Sequence, residues 1–396
     1  MNRRSFLKLL TSSFPAAYFP SELFAVPEND TRFLLIFLRG GYDAANILIP
    51  HSSTYSYETR PNIAIAKPDL NNPQAALAID SDWGLHPALK QNIWPLFQQG
   101  EAAFIPFAGT NDLSRSHFET QDSIELGQSI TGHKNYNSGF INRLVKELSG
   151  KQGISFTDSL PLSCKGDANI ANISLKGNKK QKLAKNQIDI LTEMYHGGSF
   201  DAYVEEGLNL SQKAADDFAN EMIQANRGAI MAKGFEIQAK RMAKMMKEHF
   251  NIGFIDVGGW DTHYNQGNAE GELANKIKGL GNGIASFSKE MGPVWKKTVV
   301  LVISEFGRTF RENGNKGTDH GHGSTYWLLG GGIKGKQIVG EQIRLNENNL
   351  FQNRDYPVLT EYRTLLSGLF RAQFGLSEKS LHTIFPDIKP LNLHLI

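Results

Sequence analysis

Five consecutive aliphatic residues, Val299 to Ile303, constrain this chain more than any other feature. They are apolar at successive positions rather than alternate ones, and too few for a buried helix. Such a run belongs to a strand inside a sheet covered on both faces. Phe33–Leu38 and Asn251–Val257 are runs of the same kind, and Ala102–Phe107 is a fourth in which Pro106 argues against full ladder pairing. Thr325–Leu329 adds another before Gly330-Gly331-Gly332. Between Asn251–Val257 and Thr298–Ile303 the apolar spacing predicts a helix over 270–291. Strand, helix and strand in that order predict a right-handed crossover to a parallel neighbour. The expected fold is α/β, a doubly wound and mostly parallel sheet.

Each run breaks into polar residues. Phe33–Leu38 is followed by Arg39-Gly40-Gly41-Tyr42-Asp43, and Ala102–Phe107 leads to Ser116 and His117. Asn251–Val257 is followed by Gly258-Gly259-Trp260-Asp261-Thr262-His263, and Val299–Ile303 by Ser304-Glu305-Phe306-Gly307-Arg308. The loop after that last strand carries Asp319, His320 and His322. In an open parallel sheet the C-terminal strand ends share one edge, where ligands bind. These residues, hundreds of positions apart, are therefore expected in one pocket. Carboxylates and imidazoles without a thiolate suit one or two divalent ions, Zn, Ca, Mg or Mn. Ser116 has two readings, a helix N-cap in a Ser-x-x-Glu capping box or a nucleophile at a helix start. His117 is a candidate acid/base, and Arg308, with Arg115, a candidate stabiliser of negative charge on a transferring group.

The remaining stretches set the context. A charged segment with Arg3-Arg4-Ser5-Phe6-Leu7-Lys8, a short apolar stretch and Ala25 predict a cleavable signal over 1–25 of twin-arginine type. The expected location is the periplasm or outside the cell, and the apolar stretch is too short and broken to span a bilayer. Removing 1–25 takes away three basic and one acidic residue and leaves 39 of each. That balance offers no surface to nucleic acid, and Gly330-Gly331-Gly332 lacks the strand-turn-helix setting of a dinucleotide fingerprint. The single cysteine, Cys164, excludes an internal disulfide framework. Residues 30–390 are expected to form one domain, with a helical cap or insert at about 150–250.

Taken together, Leu38-Arg-Gly-Gly-Tyr-Asp43, His86-Pro-Ala-Leu89, Arg115-Ser-His-Phe118 with Gln121-Asp122, Gly258-Gly-Trp-Asp-Thr-His263, Ser304-Glu-Phe-Gly-Arg-Thr309 and Thr318-Asp-His-Gly-His-Gly323 resemble the family named "domain of unknown function 1501". That family is similar to the alkaline phosphatase and sulfatase superfamily. The resemblance implies Asp43, Asp261, His263, Glu305 and His320 or His322 as metal ligands, with Asp319 in a rearranged site and Ser116 as nucleophile. Phe306 stands where the superfamily usually has a histidine. Two functions follow as expectations. One is an exported metal-dependent hydrolase of a small anionic phosphate or sulfate ester. The other is a non-catalytic exported protein that keeps this fold, with a degenerate metal site, to bind a glycan, an envelope component or a partner protein.

Overall fold

The structure, a computed structural model, describes residues 30–175 and 234–396 of the chain. The signal predicted over 1–25 lies outside the described residues, as does most of the predicted insert. In chain order the strands are β1 (Arg32–Leu38), β2 (Leu48–Ile49), β3 (Leu77–Ala78), β4 (Gly84–Leu85), β5 (Ala102–Gly109) and β6 (Gly153–Ser155). They continue as β7 (Ile170–Asn172), β8 (Ile252–Val257), β9 (Thr298–Ser304), β10 (Ser324–Leu329), β11 (Gln337–Ile338) and β12 (Thr360–Glu361). The main sheet runs β11-β5-β10-β9-β1-β8-β6-β7, with β12 also on β5, while β2, β4 and β3 make a small separate sheet.

The continuous apolar runs are central strands. All seven residues of β1 are buried, and so are all seven of β9. Alternate β1 side chains go to opposite faces. Leu34 and Ile36 meet Phe235, Met242 and Ile284 from the helices Phe235–Glu248 and Glu272–Met291. Phe33, Leu35 and Phe37 join Leu144, Phe370 and Phe385 in the other core layer, where Phe33 stands edge-on to Phe370 at 5.1 Å. Helices thus cover both faces of a mixed, mostly parallel sheet, as runs without alternation require.

Two expectations are corrected. β8 and β9 are parallel, but each pairs with β1, which lies between them, so the crossover skips a strand. Residues 153–155 and 170–172 are parallel strands of the main sheet and so fall outside any helical insert. The incomplete pairing expected at Pro106, inside β5, is present. β11 pairs with Ala103 and Phe104, β12 with Ala108 and Gly109, and the register with β10 shifts between Ser324 and Tyr326. The missing amide therefore falls in a gap between partners, and Phe107 beyond it turns to φ 54°.

Strand direction sets up the site. β1, β8 and β9 run parallel, and β5 shares their direction because both β5 and β9 are antiparallel to β10. The segments after β1, β5, β8 and β9 leave from one edge, while β10 runs the other way and begins there. The connection 305–323 must cross that edge to enter β10. Among the described residues, no helix is long and apolar enough to cross a membrane.

Candidate metal centre at the sheet edge

His117 is the first residue of the helix His117–Leu126, which follows β5. Its Nε2 lies 3.0 Å from His320 Nε2, and His263 Nε2 lies 3.2 Å from the same atom. Asp261 Oδ1 is 2.8 Å from His263 Nε2 and 3.2 Å from His320 Nε2, while Asp261 Oδ2 is 3.6 Å from His117 Nε2. Three imidazoles and one carboxylate, from three distant stretches of chain, thus meet at one point. The ligand atoms of His117, Asp261 and His320 all lie within 4.8 Å of one another.

The second nitrogen of each ring explains why. His320 Nδ1 is 3.2 Å from the Arg115 carbonyl, which can only accept, so that nitrogen carries the proton. His117 Nδ1 is 2.8 Å from Glu305 Oε1. Burial pushes the Glu305 carboxyl up, but hydrogen bonds from His117, Gln121 and backbone amides outweigh it, so Glu305 stays ionised below the usual range. Both Nδ1 atoms are therefore donors, and both Nε2 atoms present lone pairs to each other. His263 lies between two carboxylates, with Asp319 Oδ1 3.4 Å from its Nδ1 and Asp261 Oδ1 2.8 Å from its Nε2. Facing lone pairs repel unless a metal ion or one shared proton lies between them. Two imidazole nitrogens bound tetrahedrally to zinc would be about 3.3 Å apart, close to the observed separations. Imidazoles whose outer nitrogens are tied to carboxylate or carbonyl oxygen are the usual setting of a metal site, and the donor set fits a divalent ion.

The electrostatics agree. The Glu305 hydrogen bond raises the His117 pKa above its ordinary value against the effect of burial, and burial lowers that of His320, helped by His117 and Arg308. Burial pushes the Asp261 carboxyl up, but the Arg308 hydrogen bond and charge outweigh it and hold Asp261 ionised. The cluster thus sets ionised Asp261 beside one imidazole whose pKa is raised, His117, and one whose pKa is lowered, His320.

Several predicted site residues play other parts. Glu305 is fully buried, and its Oε1 already accepts from Gly40 N at 2.7 Å, Gln121 Nε2 at 2.8 Å and His117 Nδ1. It orients His117 and is not placed as a ligand. Asp319 Oδ1 lies 3.4 Å from His263 Nδ1 and accepts from Asn313 Nδ2 at 3.1 Å. Asp43 is not brought to the cluster, because Arg60 grips both its oxygens at 2.8 Å and Gln266 donates to Oδ2 at 2.6 Å. His322 is buried with its ring on Phe351 at 4.8 Å, and burial lowers its pKa to about 4. The arginines are committed too. Arg308, fully buried, donates to Asp261 and to Thr318 Oγ1 and O, and Arg115 pairs with Asp355 at 2.8 Å. Both guanidinium groups are thus tied up in ion pairs. His117, predicted as an acid/base, is a ligand candidate instead. Ser116 occupies the N-cap position without a side-chain capping bond, so its hydroxyl is left for another use.

Phe306 forms the floor. Its ring lies 4.8 Å from that of His117 and 5.1 Å from that of His320. Gly41, at φ 60°, makes room for it, since a Cβ there would collide with the Phe306 ring. Residues 30–385 match a protein family described as "Protein of unknown function (DUF1501)". The chain belongs to that family. No curated protein matches it. Among solved structures it is similar to a protein in the alkaline phosphatase superfamily from Vibrio parahaemolyticus, with 14% identity, 99% of this chain and 79% of that one covered, and a TM-score of 0.41. It is also similar to Ps i-CgsB in complex with k-i-k-neocarrahexaose, with 10% identity, 90% and 74% coverage and a TM-score of 0.40. Likenesses this loose leave the chemistry to be argued from the family member's own residues. Reasoning from sequence missed Arg60, Gln266 and the ligand role of His117. The last had a signal, its place at a helix start beside Ser116.

Proposed function

We propose that the protein is an exported metal-dependent hydrolase of phosphate or sulfate esters, with a doubly wound fold of alkaline phosphatase-like type. The observation that carries the reading is the convergence of His117, His263 and His320 Nε2 with the Asp261 carboxylate. These four residues would hold one divalent ion, which would supply positive charge to an ester oxygen. Glu305 and the Arg115 carbonyl keep the lone pairs of His117 and His320 aimed inward, and Arg308 keeps Asp261 ionised. Ser116, beside His117 and free of capping duty, is the candidate nucleophile. Phe118, 85% exposed, and Tyr264, 66% exposed, adjoin His117 and His263 in sequence and offer the organic part of an ester an apolar contact. Export to the periplasm or beyond by the twin-arginine machinery belongs to the same proposal and rests on Arg3-Arg4-Ser5-Phe6-Leu7-Lys8.

A second reading keeps the metal and drops the turnover, leaving a protein that binds an envelope component. Its support is specific: Arg308 and Arg115 are both engaged, Asp43 is paired with Arg60, and Phe306 replaces a nitrogen donor with an apolar ring. One experiment separates the readings. Protein purified after export, without refolding, is expected to carry about one divalent ion per chain, lost in His320→Ala. It is expected to cleave aryl phosphates or sulfates with turnover abolished by Ser116→Ala. Full metal without turnover assigns the second reading, and absence of metal overturns both.

A further inference from the structure

Two glutamines stand behind the cluster, and each amide is bonded at both ends. Gln121 Nε2 donates to Glu305 Oε1 at 2.8 Å, and its Oε1 accepts from Arg39 Nη1 at 2.7 Å. Arg39 is itself held by Asp256 at 2.7 Å and Glu125 at 2.8 Å. Gln266, fully buried, donates through Nε2 to Asp43, and its Oε1 accepts from Thr262 Oγ1 at 3.0 Å and Thr318 Oγ1 at 3.2 Å. Thr318 Oγ1 then accepts from Arg308 Nε at 3.2 Å, and Arg308 Nη1 reaches Asp261 Oδ1.

Both relays begin at an arginine, a donor with no acceptor, so their polarity is not free. Arg39 makes Gln121 show its oxygen outward and its NH₂ to Glu305. Glu305 is thereby kept an acceptor for His117 Nδ1–H, and His117 Nε2 keeps its lone pair. Arg60 pairs Asp43 as a carboxylate, which can only accept, so Gln266 turns its NH₂ to Asp43 and its oxygen to Thr318. The Thr318 hydroxyl spends its one proton there and accepts from Arg308, which seats the guanidinium on Asp261. We infer that Gln121 and Gln266 are positioning residues of the metal centre, the first setting the His117 tautomer and the second the orientation of Asp261. The inference rests on reading the cluster as a metal site. It also gives Arg39, Arg60 and Asp43 a purpose that ligation does not.

The test uses the full chain and Zn(II), with affinity read by chelator competition. Gln121→Met and Gln266→Met are each expected to weaken binding about 10–100-fold, the usual effect of losing a residue behind a ligand. In an Asp261→Asn background, Gln266→Met should have no further effect on affinity while Gln121→Met keeps its own. Equal losses in both backgrounds, or lowered melting temperature with unchanged affinity, overturn the inference. Long-range 1H–15N spectra of the metal-free wild type supply an arm that needs neither variant nor metal. They are expected to show His117 protonated at Nδ1, and an Nε2–H tautomer overturns the role of Gln121. A wild-type chain that binds no Zn(II) defeats the metal reading, and these spectra still decide the relay.

Discussion

His86 shows how one side chain can look functional and be structural. It begins the His86-Pro-Ala-Leu89 motif, yet the structure buries it away from the cluster. The Ala88 amide donates to its Nδ1 at 3.0 Å, and its Nε2 faces the Asn268 carbonyl at 2.9 Å. Only the neutral ring with its proton on Nε2 satisfies both partners, and burial lowers its pKa to about 4 from an ordinary 6.5. The sign follows directly. As pH falls below about 6.5 the unfolded chain takes up a proton that the folded chain refuses until about 4, so stability drops across that window. From this residue alone, stability at pH 5 should be about 2 kcal/mol lower than at pH 7. Urea midpoints at the two pH values check it. His86→Gln, less stable overall, should lose that part of the slope, and an unchanged slope would assign the pH dependence elsewhere. At this scale Asp261 and His263 were legible from their spacing. The role of Asp43 was not, because nothing in Arg-Gly-Gly-Tyr-Asp announces that Arg60 will be buried against it.

The helix Glu272–Met291 contains Gly279, Gly281 and Gly283, which by intrinsic preference should weaken it. Its contacts give the reason. A methyl on Gly283 would strike the ring of Phe235 and one on Gly281 the amide of Asn92, whereas nothing lies near Gly279. Gly283 lets this helix approach Phe235–Glu248 closely, and Gly281 does so at Asn92, which precedes the helix Ile93–Gln98. Gly283→Ala is therefore expected to destabilise by about 1–3 kcal/mol through overpacking. Gly279→Ala should stabilise by up to about 1 kcal/mol. Denaturant midpoints of the two variants measure the contrast, and shifts of the same sign would mean that the helices do not meet through Gly283. The helix and its length were legible from apolar spacing. Its partner was not, since a helical period marks a face without naming what covers it.

Across the whole molecule, the candidate ligands come from the segment after β5, the segment after β8 and the connection between β9 and β10. An ion held by them would tie three otherwise separate segments together and stabilise only the folded state. At a hundredfold excess over its dissociation constant that linkage amounts to about 2.7 kcal/mol. For a chain of this size the corresponding shift is about 3–4 °C in melting temperature. Thermal unfolding before and after chelation, then with Zn(II) restored, should show the drop and its recovery. A melting temperature indifferent to chelation would mean the cluster holds no structural cation.

Local chemistry decided much of this protein before any tertiary contact. Unbroken apolar runs can be satisfied only inside a sheet covered on both faces, and polar residues directly after them must emerge at its edge. That placed Asp261, His263, Glu305 and His320 near one another from sequence alone. What sequence cannot carry is which lone pair points where. Asp43 and Glu305 are both carboxylates after central strands, yet one is closed by Arg60 and the other orients an imidazole. Those outcomes depend on partners 17 and 188 residues away, and only the folded chain brings such partners within hydrogen-bond distance. Whether a side chain is ligand, orienter or buried ion pair is settled by what else occupies its few donor and acceptor directions, and that is a property of the packed structure.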